Sequence, residues 1–198
     1  MPSHDQKQSY IRKDERRTMI AEAARALILE NGYAALRTRD VAARVGINIS
    51  TLHFHVPNKA ALVVLVAETT RDDFLRKLPP PPDAERPAGA QLRAEAQAYH
   101  DSLRDSPELA ACLAQLRQVG RSEPEVAAMI DSFTQEWCRR YAEIITIGQQ
   151  QGAFRSDLTA LPAALVITGA LTAFGARGPH DLEMFWPVFD ELERGFLA

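Results

Sequence analysis

Cysteine is scarce in this sequence. Cys112 and Cys138 are the two in 198 residues; they lie far apart, and neither has a His or Cys neighbour at metal-ligand spacing. That pattern gives no zinc site, and no metal or other cofactor is expected. Two reduced thiols in a cytoplasm are a simpler expectation than one disulfide. An apolar leader is also missing: Met1 to Arg17 is polar and charged, so no secretory signal is read there. The most apolar stretch, Leu158 to Gly175, contains Thr, Pro and Gly and is short for a membrane span. No period-two alternation marks a strand, and no internal repeat is seen. A Ser/His/Asp set, paired carboxylates and a phosphate-binding glycine loop are all lacking, which leaves an enzyme without its usual groups. The expectation is a cytoplasmic, non-enzymatic, all-α chain.

Hydrophobic residues make up 46%, enough to bury a sizeable core. The formal net charge of −3 conceals an asymmetry. Residues 1–78 hold 13 basic and 9 acidic side chains, net +4. Residues 79–198 hold 10 and 17, net −7. A basic first part suits a polyanionic partner, while chance scatter of surface charge would look the same.

Helical periodicity organises the chain. Residues 1–9 are polar and expected to be unstructured. From Tyr10 to Asn31, Ile20, Ala23, Ala24, Leu27 and Ile28 share a face, and Arg12, Lys13, Arg16 and Arg17 crowd the first turns. Gly32 stops that helix. A short helix is predicted over Thr38–Val45, ended by Gly46, and a second one from the N-cap Asn48 to about His55. A longer helix starts near Lys59 and runs to about Leu78. Four prolines, Pro79 to Pro82, forbid its continuation, so residues 79–88 are read as a stiff extended connection. Helices are then expected over Ala90–Asp105, from Pro107 behind the cap Ser106, from a Ser122/Glu125 capping box to about Gln151, over Asp157–Phe174 with Gly175 and Gly178 closing it, and over His180–Leu197 with Pro187 kinking or splitting it. The predicted division is a helix-turn-helix domain at 10–57, a connecting helix at 58–78 and a C-terminal helical domain at 79–198.

Residues Thr38 to His55 carry the functional signal. Val41, Ala42, Ile47 and Leu52 lock the two short helices together. The second helix then presents Asn48, Ile49, Ser50, Thr51, His53 and Phe54, a set suited to a major groove. Its hydroxyls and N-terminus suit phosphate oxygens, Ile49 a thymine methyl, and Arg39 a guanine edge or a phosphate. Purely structural helix pairs share the helix–Gly–helix pattern, so on pattern alone both readings stand. Phe54 fits a core position as well as a groove contact. His53 and His55, two apart on a helix, point to different faces and do not make a metal pair.

In this segment and its flanks the chain resembles the TetR family of repressors. The resemblance covers residues 12–66, through Ala23-Ala24, Gly32-Tyr33, Thr38-Arg39-Asp40-Val41-Ala42, Val45-Gly46-Ile47, Thr51-Leu52 and Asn58-Lys59-Ala60-Ala61-Leu62. Leu52 to Lys59, with Val56, looks most like the tetracycline-repressor branch. The resemblance implies a homodimer that binds double-stranded DNA at a palindromic operator, and a C-terminal domain that answers a small, mostly apolar effector by releasing DNA. It implies base contacts from Arg39, Ile49 and Ser50, and phosphate contacts from Thr38, Thr51, His53 and Lys59. Asn48, Phe54 and His55 complete the expected DNA face. Two residues depart from the family pattern. His53 replaces a usual Tyr, is shorter and titrates near neutrality. Arg37 replaces a capping Ser or Thr; it cannot cap but can add a phosphate contact.

The last two predicted helices are unusually apolar. Val166, Gly169, Ala170, Ala173 and Phe174 on one, and Phe185, Val188, Phe189 and Leu192 on the other, suit a four-helix interface between two copies; an intramolecular core is the other reading. An effector pocket needs an apolar lining with few polar groups. Tyr99, His100, Leu103, Leu113, Leu116, Arg117, Phe133, Trp137, Tyr141 and Thr168 are the candidates, each equally readable as core. Two rival functions remain at this level: a helical enzyme or carrier using that cavity, and a protein–protein adaptor whose short-helix pair is only structural.

Overall fold

A computed structural model describes residues 4–177 and 179–198, with side chains described for 13–175 and 182–198. The described residues form α-helices joined by turns and short 3-10 segments. They run α1 His4–Asn31, α2 Thr38–Val45, α3 Ile49–His55, α4 Lys59–Leu75, α5 Ala88–Asp105, α6 Pro107–Val119, α7 Pro124–Gln150, α8 Ala160–Arg177 and α9 Phe185–Arg194. A lone antiparallel bridge, Phe154 to Leu197, is the one β feature among the described residues. The fold is all-helical, as read from the sequence. Two compact units divide the chain. The first holds Met1–Asp72 and Gln115–Ile130, the second Asp73–Ala114 and Asp131–Ala198.

Local signals set the helix ends of the first unit. Gly32 and Gly46 both adopt positive φ, 77° and 73°, where a Cβ is costly. Gly46 caps α2 through its N–H, which reaches the carbonyls of Ala42 and Ala43. Asn48 Oδ1 accepts from the Thr51 N–H at 2.7 Å, and such a cap stabilises a helix by about 1 kcal/mol. Asn58 Oδ1 does the same for α4, accepting from Ala61 N at 2.8 Å. Ile20, Ala24, Ile28, Val41, Ala42, Leu52, Val56 and Leu62 are buried in this unit. Each large aliphatic among them contributes roughly 1.5–3 kcal/mol by leaving water.

Three expectations need correction, and a fourth is narrowed. The first helix begins at His4 rather than Tyr10, because no proline or glycine between them interrupts it; residues 1–3 lie outside the described residues. Ser122 is no N-cap. Its hydroxyl donates back to the Val119 carbonyl at 3.1 Å, and α7 starts at Pro124 with the Glu123 carbonyl accepting from Val126 and Ala127. The apolar helix α8 starts at Ala160 rather than Asp157 and continues past Gly175 to Arg177; Gly178 lies outside the described residues. Of the kink or split expected near Trp186 the structure has the split, placed before Phe185 with a 3-10 stretch Pro179–Met184 ahead of α9. Pro187 thus sits in the first turn of α9, where a missing N–H costs nothing.

In the second unit α7 and the segment behind it meet unusually closely. Gly148 lies under the Phe154 ring, and a Cβ there would fall 2.0 Å from ring carbon Cδ2. Phe154 is 2% exposed, so only glycine at 148 admits the ring. The proline strap is held by polar side chains. Gln91 Nε2 donates to the Asp83 and Arg86 carbonyls, and Gln151 Nε2 to those of Ala84 and Arg86. Arg140 binds the carbonyls of Pro79 and Pro80.

Candidate functional site

The face of α3 is built by burying one side of a seven-residue helix. Leu52 is fully buried, which turns Ile49, Ser50, His53 and Phe54 outward. Phe54 is 75% exposed and Ile49 40%. The two readings of Phe54 are therefore separated: it is a surface ring, not core. Lys13 Nζ stands 5.9 Å from its centroid, within cation–π range. Asn48 is exposed and Thr51 half-buried. Arg37, at the N-cap of α2, makes no side-chain cap bond and stays exposed, with Thr38 half-buried beside it. Arg39 is exposed and lies 3.6 Å from Asp40, too loose to hold it in place.

His53 and His55 have different surroundings. His53 Nδ1 lies 3.1 Å from the Pro57 carbonyl oxygen. A carbonyl only accepts, so Nδ1 carries the proton of the neutral ring and Nε2 is then an acceptor. His55 is turned inward, and its Nδ1 has no partner among the described residues. Burial first, then the charges of Arg17, Lys13 and Arg16, pushes its pKa down. Arg17 Nη1 also donates to the His55 carbonyl at 3.1 Å, so His55 serves the junction with α1 more than the outer face.

Lys59 is not a free surface lysine. Its Nζ donates to the Tyr33 carbonyl at 2.8 Å and lies 4.2 Å from the Tyr33 ring centroid. The ammonium is thereby held at the start of α4.

The second unit centres on aromatic rings. Tyr99 and Trp137 have centroids 5.1 Å apart, and Trp137 and Tyr141 5.7 Å. Phe74, absent from the sequence candidates, joins them, 5.2 Å from Phe133, 5.5 Å from Trp137 and 5.9 Å from Tyr99. Of the candidates, Tyr99, Leu103, Leu113, Leu116, Phe133, Trp137, Tyr141 and Thr168 are buried, and His100 is half-buried against Phe185. Arg117 is exposed, and both it and Leu116 belong to the first unit rather than the second. The Thr168 hydroxyl is spent on the Ala164 carbonyl at 2.9 Å. In this unit three buried polar atoms have no partner among the described residues: Trp137 Nε1, Tyr141 Oη and Glu95 Oε2. Burial, with Glu95 and Tyr99 nearby, pushes the Tyr141 pKa well up. Sequence reasoning missed Glu95, whose Oε1 accepts from Arg140 Nε at 2.9 Å; nothing local marks a pair 45 positions apart.

The apolar α8–α9 face is only partly free. Phe174, Phe185 and Phe189 are buried in their own unit. Leu161, Leu165 and Val166 remain more than half exposed, and Gly169 and Ala173 are exposed as well. Leu161 and Leu165 line an open groove of about 450 Å³ with Asp131, Thr134, Gln135, Cys138 and Arg139. Among the described residues, no group of three His, Cys, Asp or Glu is placed to hold a metal, and no single helix is long and apolar enough to cross a membrane.

Comparison with known proteins bears on both units. Residues 20–66 match the family model of bacterial regulatory proteins, tetR family. No curated protein sequence matches the chain. Among solved structures, a TetR transcription regulator from Haloarcula marismortui superposes with a TM-score of 0.83 at 16% identity, over 93% of this chain and 100% of that one. A putative TetR-family regulator from Rhodococcus sp. gives 0.79 at 19% identity, over 90% and 99%. A putative transcriptional regulator from Saccharomonospora viridis, solved in complex with choline, gives 0.73 at 21% identity, over 93% and 99%. These likenesses show that the fold is shared with TetR-family regulators across both units, and the family-model match at residues 20–66 falls on α1 to α4, which include the two short helices α2 and α3.

Proposed function

We propose that the protein is a repressor that binds a palindromic operator as a homodimer and lets go when a small, mostly apolar effector enters the second unit. The observation that carries the DNA reading is the outward face of α3, where capping by Asn48 and burial of Leu52 leave Ile49, Ser50, His53 and Phe54 exposed. In this reading Arg39, Ile49 and Ser50 contact base edges. Thr38, Thr51, His53, Lys59 and Arg37 contact phosphates. Residues 10–57 act as the DNA-binding domain, residues 58–78 as the connection, and residues 79–198 serve effector binding and dimerisation.

The exposed Leu161, Leu165 and Val166 on α8 support the dimer, since apolar side chains in one stripe gain by burial against a second copy. The aromatic cluster around Trp137 supports the effector site. Its unpartnered Trp137 Nε1 and Tyr141 Oη suit a ligand that carries a hydrogen-bonding group on an apolar body. An effector acts only through its different affinity for the DNA-bound and released states.

Selection of duplexes from a random pool by the purified protein tests the reading. The expected product is an inverted repeat whose half-sites lie about 10 base pairs, or a multiple, apart. An enriched single half-site would remove the dimeric part, and no enrichment at all would remove the operator.

A further inference from the structure

One tyrosine in the first unit joins Lys59 to a residue far away in sequence. Tyr33 follows Gly32 in the turn before α2. Its carbonyl and ring hold the Lys59 ammonium, at 2.8 Å and 4.2 Å. Its hydroxyl donates to Glu123 Oε1 at 2.6 Å. Glu123 occupies the turn between α6 and α7, and that turn is tightly made. The Ser122 and Glu123 amides both donate to the Val119 carbonyl at 3.0 Å. A Cβ on Gly120 would stand 3.1 Å from Ala127 Cα. The carboxylate is therefore presented from a firm support.

We propose that Glu123 is a positioning residue for operator binding: by fixing the Tyr33 hydroxyl it holds the ring on which Lys59 offers its ammonium to a backbone phosphate. The proposal rests on the reading of Lys59 as a phosphate contact. Burial and the Glu123 carboxylate push the Tyr33 pKa up to about 12, which keeps the phenol a donor throughout the working range. Without the bond, the ring can swing and the ammonium spreads over many rotamers, so part of the binding free energy goes to re-ordering it. Simple electrostatics argues the other way. An acid close to a lysine that meets DNA weakens attraction to a polyanion, so deleting it for charge alone would tighten binding. The sign of the effect therefore separates positioning from charge. Glu123 also directly precedes α7, the helix that carries Phe133, Trp137 and Tyr141.

The test uses the full-length protein and the best duplex recovered from the random pool, followed by fluorescence anisotropy at several salt concentrations. Glu123→Ala and Tyr33→Phe should each weaken binding roughly three- to tenfold, the loss of one hydrogen bond. Glu123→Gln, which can still accept from the hydroxyl, should keep most of the affinity. In a Lys59→Ala background neither Glu123→Ala nor Tyr33→Phe should change affinity further. Thermal melts of every variant exclude loss of folded protein as the cause. Tighter or unchanged binding by Glu123→Ala, or an equal loss with and without Lys59, would overturn the proposal while leaving the operator reading intact. A Lys59→Ala variant with full affinity would overturn both the phosphate contact and the role of Glu123.

Discussion

Replacing Arg39 and Lys59 together by alanine is expected to weaken binding to the selected duplex by about 100-fold or more. A well-placed arginine–guanine pair discriminates by roughly 1–3 kcal/mol, and a charge-assisted bond adds about 1.5–3 kcal/mol. Each 1.4 kcal/mol is about a factor of ten. The two residues should separate by specificity. Arg39→Ala relaxes sequence preference if Arg39 reads a base, whereas Lys59→Ala weakens all sequences alike and lowers the salt slope by about one. The fold should hardly notice Arg39, which is exposed and only loosely near Asp40. Full affinity in the double variant would show that the DNA face has been placed on the wrong residues.

The second large effect concerns stability. Arg140 and Glu95 form an ion pair in which the Glu95 side chain is 1% exposed and that of Arg140 17%. Arg140→Ala strands a buried carboxylate, a change that typically costs about 3–5 kcal/mol, and also frees the carbonyls of Pro79 and Pro80. The melting temperature should fall by on the order of 10 °C. The loss should depend on pH. Burial raises the Glu95 pKa above its ordinary 4.5, against the opposing pull of Arg140. A raised folded-state pKa means that the folded protein binds the proton more tightly than the unfolded chain. Its contribution is full below 4.5 and is lost as pH rises through the folded value. Removing Arg140 raises the folded value further, so the penalty should be smaller near pH 5 than near pH 8. Melts at both pH values measure this; an equal penalty would mean that the loss is packing alone. Arg140→Ala,Glu95→Leu should recover much of it, since apolar packing often replaces such a pair without loss.

The first unit was more legible in the sequence than the second, and the reason is the range of its signals. Gly46 and Asn48 act on atoms within five residues of themselves, so α2 and α3 could be placed at Thr38–Val45 and Ile49–His55. Ser122 shows the limit of such signals. Its spacing to Glu125 matches a capping box, but the hydroxyl is taken by Val119 behind it. Contacts between distant positions left no mark. The Tyr33–Glu123 bond spans 90 positions and the Glu95–Arg140 pair 45. Apolar patterning had a third limit. It shows that Phe174, Phe185 and Phe189 need covering but not what covers them, and their own unit buries all three.

Anisotropy titration of the wild-type protein against the selected duplex and a scrambled duplex of equal composition, over about 50–200 mM salt, tests the central claim most directly. For the selected duplex log K should fall linearly with log salt, with a slope of several phosphates. Its affinity should exceed that of the scrambled duplex by on the order of 10³. Equal affinity for the two duplexes, or binding that ignores salt, would contradict an operator-reading surface on α3.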